Sequence, residues 1–104
     1  MNYVYTIIRI LEIPKLKIFH DNRYNILMIK IRAELPNSYN TQIVNVTFWG
    51  NLAYDIYNDY IINDYIMISG YLSFIKMPMS QQIEITVLKM YPFILSSDYL
   101  IDEN

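Results

Sequence analysis

The stretch Val46-Thr47-Phe48-Trp49-Gly50-Asn51-Leu52-Ala53 decides the fold. Its first half has the β-branched and aromatic composition of a strand packed on one face. It then meets Gly50, one of only two glycines in 104 residues, and passes into Leu52, Ala53, Ile56 and Tyr60, spaced for one face of a helix. A helix is expected over 51–60, with Asn51 as its N-cap and Asn63, a residue that tolerates left-handed backbone, closing its far end. Alternation along 43–49 puts Val44, Val46 and Phe48 on an apolar side and Ile43, Asn45, Thr47 and Trp49 on a more polar one. The chain's single tryptophan therefore stands where a core has no use for it.

Outward from this stretch, four more segments rich in Ile, Val, Tyr, Phe and Thr are expected as strands: 2–13, 24–34, 64–75 and 82–92. Breaks fall at Pro14 with the Lys15–Arg23 segment, at Pro36–Asn40, and at Met77-Pro78-Met79-Ser80. The order β-β-β-α-β-β, with one short helix between the third and fourth strands, is that of an all-β, five-stranded OB barrel. Leu27, Ile29, Ile31 and Ala33 on the second strand and Ile66, Ile68, Leu72 and Phe74 on the fourth are expected inside. Tyr24, Met28, Lys30 and Arg32, and Tyr65, Met67, Ser69, Tyr71 and Ser73, are expected outside. The first strand carries apolar residues on both faces (Val4, Ile7, Ile8, Ile10, Leu11 and Ile13), as strands covered on both sides do. One OB domain over 1–95 and a short, frayed acidic tail over 96–104 are expected.

Composition narrows the chemistry. There is no cysteine, so disulfides and thiolate nucleophiles or metal ligands are excluded. The one histidine, His20, is too few for a histidine metal site, and no Ser-His-acid arrangement is suggested, so no enzyme, metal or cofactor is expected. The formal net charge is −2, but it is unevenly placed. Residues 1–50 hold six Lys and Arg against three Asp and Glu, whereas 96–104 hold Asp98, Asp102 and Glu103 with no base. No run approaches the ~18 apolar residues of a membrane span, and the N-terminus has no secretory or Arg- and Ser-rich organelle leader pattern. Nineteen isoleucines and ten asparagines beside two glycines point to an AT-rich coding genome, that of a plastid or, alternatively, an AT-rich bacterium with the protein in its cytoplasm.

Aromatic-Gly50-Asn51-Leu52-Ala53, then Asp59-Tyr60, then Tyr65–Leu72 with Gly70 inside it, resembles the bacterial-type single-stranded DNA-binding protein family, in the short form encoded by algal plastids. Asn2-Tyr3-Val4, Pro14, Met28-Ile29-Lys30-Ile31 and Glu84-Ile85-Thr86-Val87 fit the same pattern, so the similarity spans about residues 2–93. Two positions that often hold a stacking tryptophan in that family carry Ile43 and Met77 here. The resemblance implies an OB fold, a homo-oligomer (commonly a tetramer, alternatively a dimer), and binding of single-stranded DNA with little sequence preference during replication or recombination, with no membrane or small-molecule substrate.

The residues and the resemblance together nominate a surface. Trp49 and Tyr71 are candidate stacking platforms, since every base offers a π-face. Lys30, Arg32, Arg9 and Lys76 are candidate phosphate contacts. Two other functions fit the same fold: a primosome-type OB protein acting through protein contacts, and a structural OB subunit, which the net negative charge favours.

Overall fold

Strands form where alternation supplies an inner face, and a computed structural model of the protein describes residues 2–36, 40–76 and 81–91. The elements are β1 (Tyr3–Ile10), β2 (Lys17–Asp21), β3 (Tyr24–Leu35), β4 (Gln42–Trp49), α1 (Asn51–Asp59), β5 (Tyr65–Lys76) and β6 (Gln81–Tyr91). β1 pairs with β5, β5 with β6, β6 with β4, β4 with β3, and β3 returns to β1. The five expected strands thus close into the ring of an OB barrel, and its members are antiparallel except β4 and β6, which run parallel. Closure rests on a short seam, Arg9 opposite Glu34 and Ile10 opposite Ala33. Leu11 N–H donating to the Arg32 carbonyl and Arg32 N–H donating to the Glu12 carboxylate extend it.

Inside the ring lie Ile8, Ile10, Ile29, Ile31, Val44, Val46, Phe48, Ile66, Ile68 and Ile85, and α1 closes one end with Ala53 and Ile56 buried. Removing this much apolar surface from water at about 25 cal/mol per Å2 is the dominant favourable term for the fold. Gly70 lies on β5 at a register shift between Ser69 and Gly70, where a Cβ would stand 2.1 Å from the Thr86 carbonyl oxygen of β6. That position has no room for a side chain.

Several expectations change. Residues 17–21, expected as part of a break, form β2, an edge strand outside the ring that pairs with β3 through a two-residue turn at Asn22-Arg23, Asn22 taking a positive φ. The N-cap is Gly50, not Asn51: at φ 62, ψ −128 it occupies backbone that strains any other residue, and Asn51 is already helical. Tyr60 ends the helix in extended conformation, so Asn63, although at φ 74, shapes the following turn instead. Its N–H donates to the Ile10 carbonyl and ties that turn to β1. Phe74 points to the expected side of β5 but is 48% exposed, because the β5–β6 hairpin outruns the barrel and leaves the inner side of its arm uncovered. Ser69 faces outward yet is fully buried. The Tyr5 and Tyr91 rings belong to the two strands flanking β5, about 9–10 Å apart, and meet at 5.3 Å by leaning over it. The Pro36–Asn40 break in part, the Met77–Ser80 turn and the 96–104 tail lie outside the described residues.

Candidate nucleic-acid interface

The outward face of β3, β4, β6 and β5 can be followed row by row from the register. Lys17, Met28 and Trp49 stand abreast on β2, β3 and β4. The next row is Lys30, Thr47, Thr86 and Tyr71, and Tyr3 of β1 continues it. Beyond that come Arg32, Asn45, Glu84 and Ser73. Rows on one face are about 7 Å apart, two residues along each strand, and neighbouring strands about 4.8 Å. Trp49, Lys30, Arg32 and Tyr71 therefore share one continuous surface, with Trp49 and Tyr71 about 12 Å apart on this lattice.

Trp49 is half-buried at the end of β4 and meets the ring of Phe19 edge-on, at 5.4 Å between centroids. Phe19 is 44% exposed and sits on β2, so the indole is braced from the side while its surroundings stay open. Edge-to-face pairs of this kind hold a ring in place by about 0.5–1.5 kcal/mol beyond area burial. Phe19 was not among the expected site residues because its strand was not. The signal in the sequence was Asn22 at the centre of a two-residue turn.

Cations gather on one side of this aromatic corner. Between β2 and the β1 seam, β3 has β4 on one edge and, among the described residues, no strand partner on the other, and Lys15, Lys17 and Lys30 line the hollow of about 430 Å3 left there, together with Glu12. Lys30 is not free: its ammonium lies 3.6 Å from a Glu84 carboxylate oxygen, and the other Glu84 oxygen accepts from the Thr47 hydroxyl at 3.3 Å. Arg32 is exposed, and its side chain has no ion-pair partner among the described residues.

Arg9 and Lys76 stand apart from this group. The Arg9 guanidinium makes a two-pronged bond to Glu34, at 3.1 and 2.9 Å, and a third bond to Asn63 at 2.7 Å. The Glu34 hydrogen bond raises its pKa further above the usual arginine range. Lys76 is exposed at the end of β5, five residues beyond Tyr71 and hence on the opposite side of the strand. Among the described residues, no group of three or more His, Asp or Glu is placed to hold a metal ion.

No family model matches the chain. A protein from Trieres chinensis, provisionally named single-stranded DNA-binding protein ycf41, is 34% identical over 93% of this chain and 93% of its own length. The chain belongs to the single-stranded DNA-binding protein family. Solved structures share the fold: the SSB domain of a Synechococcus protein superposes with a TM-score of 0.71 at 22% identity, over 88% of this chain and 96% of that one. The second single-stranded DNA-binding protein of Mycobacterium smegmatis gives 0.69 at 20% identity, over 89% and 87%. Within this family, then, the chain combines one tryptophan, a lysine-lined hollow and an acidic residue in the middle of the same sheet.

Proposed function

We propose that the protein binds single-stranded DNA with little sequence preference, in replication or recombination of a plastid genome, using the outward face of β3 and β4. The observation that carries this is Trp49, held half-exposed by Phe19 beside the three-lysine hollow. Bases stack on Trp49, with Tyr71 as a second platform further along the strand. Phosphates follow Lys30 and Arg32, with Lys15 and Lys17 added to them and Lys76 reached by way of the β5–β6 hairpin. Arg9, committed to Glu34 and Asn63, belongs to the barrel seam. Residues 1–95 act as the binding domain, with 96–104 as an acidic tail. The composition of an AT-rich genome and a relative with a ycf name support the plastid setting.

A titration of the full chain with oligo-dT tests this. Trp49 fluorescence is expected to quench on binding, and Trp49→Ala, followed with a dye-labelled oligonucleotide, to lose about 1–3 kcal/mol, or roughly 5- to 150-fold in affinity. Paired cations at Arg9 and Lys30 favour the other view, an OB protein working through protein contacts. A flat titration would overturn the DNA reading in favour of that one.

We infer too that the protein is a homo-oligomer, a tetramer or alternatively a dimer. From Tyr3 to Ile8, β1 is paired only on its β5 side among the described residues, an open strand edge that a second copy could extend. Beside that edge Tyr3 and Tyr5 are 55% and 59% exposed, on a face that also carries Ile7, Met67 and Tyr91.

A further inference from the structure

We propose that Glu84 is a built-in counterion that competes with DNA phosphate for Lys30, so that this protein holds single strands more weakly, and with a shallower salt dependence, than its cations would allow. The inference rests on the DNA-binding face proposed above and concerns how that face is tuned.

Glu84 is the one acidic side chain inside the rows that join Trp49 to Arg32. It lies on β6 with Asn45 of β4 on one side and Ser73 of β5 on the other, between the cations of β3 and Tyr71 of β5. Its side chain is only 18% exposed, whereas that of Lys30 is 47% exposed. The carboxylate is thus fixed in the floor by Thr47, while the ammonium, on a flexible four-carbon stem, is the mobile partner. A partly buried carboxylate is screened less by salt than an exposed one, so it keeps its hold on Lys30 at ionic strengths that weaken surface pairs. When a phosphate arrives, Lys30 must leave a carboxylate rather than a diffuse counterion. Strong salt dependence comes from released ions, and here the ion displaced is part of the protein and is not released. Arg32, in the same row as Glu84 with Asn45 between them, feels the same negative charge.

The test uses the full-length chain and a labelled oligo-dT, with binding isotherms across a salt series for the wild type, Glu84→Gln, Lys30→Gln and the double variant. Glu84→Gln keeps an oxygen for the Thr47 hydroxyl, and an unchanged melting temperature would show that the sheet is intact. This variant is expected to bind roughly two- to five-fold more tightly at low salt, the range of an exposed ion pair. Its plot of log K against log salt should steepen by about 0.7, the increment for one more phosphate neutralised on a single strand. In the Lys30→Gln background both gains should disappear. Wild-type binding with no gain, or a loss, in Glu84→Gln overturns the counterion role and leaves DNA binding standing. An equal gain without Lys30 also overturns it, because the effect would then be long-range charge alone. No binding by any of the four proteins ends the DNA reading itself, and this proposal with it.

Discussion

The outward surface divides into two regions built by the same alternation with opposite chemistry. On β2, β3 and β4 it carries Phe19, Trp49, Lys17, Lys30 and Arg32, aromatic at one corner and cationic beside it. On β1, β5 and the far part of β6 it carries Tyr3, Tyr5 and Tyr91, with Tyr71, the second platform, at the border, and rings meeting pairwise at 6.0 and 5.3 Å around Ile7 and Met67. The first region keeps charges and one braced ring available to a polyanion. The second ends in an open strand edge and covers its own polar residue, Ser69, beneath tyrosines. Fold alone does not distinguish the two. What separates them is whether the outward positions are filled with cations or with rings that contact each other.

Because β6 joins the two regions, the largest effect should come from Gly70, where β5 and β6 approach most closely. Gly70→Ala places a methyl against the Thr86 backbone, a clash that cannot be relieved by rotating a side chain. Forced packing of this kind costs about 1–3 kcal/mol or more, and here it should damage both regions together. A lowered melting temperature with loss of both DNA binding and assembly is the expected result. Loss of only one would mean that the regions are less coupled than the shared strand implies.

Next in size is a change confined to the tyrosine side. Tyr5→Ala with Tyr91→Ala removes a ring pair, a contact of about 0.5–1.5 kcal/mol, and uncovers Ser69. Light scattering is expected to show a smaller assembly, while oligo-dT affinity measured per protomer stays within about a factor of two, as for a surface change away from the binding face. A fall in affinity as large as that of Trp49→Ala would erase the division between the regions.

Sequence gave away the parts that depend on neighbours a few residues apart. Gly50 marked the passage from β4 to α1, and alternation placed Ile29, Ile31, Val46 and Phe48 inside and Trp49 outside. What it hid depends on distant partners or on where the barrel ends. β2 is exposed at every position, so no apolar alternation announced it. Phe74 obeys alternation, but nothing local says that the hairpin has left the core behind. Arg9 looked like any cation on a strand until ring closure set it against Glu34 and Asn63. Glu84 meets Lys30 only because the parallel pairing of β4 and β6 lays the last strand beside the first half of the chain.

Arg9 offers the finest distinction, between a cation that belongs to the binding region and one that belongs to the frame. It lies at the end of the cationic side, one row beyond Arg32 and across the seam. Three of its five N–H donors are already engaged and its charge is met by Glu34, so a phosphate there gains little unless it displaces a carboxylate held at two points. Arg32 has no such commitments among the described residues. Arg9→Gln should therefore lower the melting temperature by weakening the short seam that closes the ring, with the slope of binding against salt left where it was. Arg32→Gln should do the reverse, keeping the melting temperature and making that slope shallower by about 0.7 for the one phosphate lost. If Arg9→Gln flattens the salt dependence as much as Arg32→Gln does, Arg9 leaves its carboxylate for DNA, and the cationic region extends across the seam onto β1.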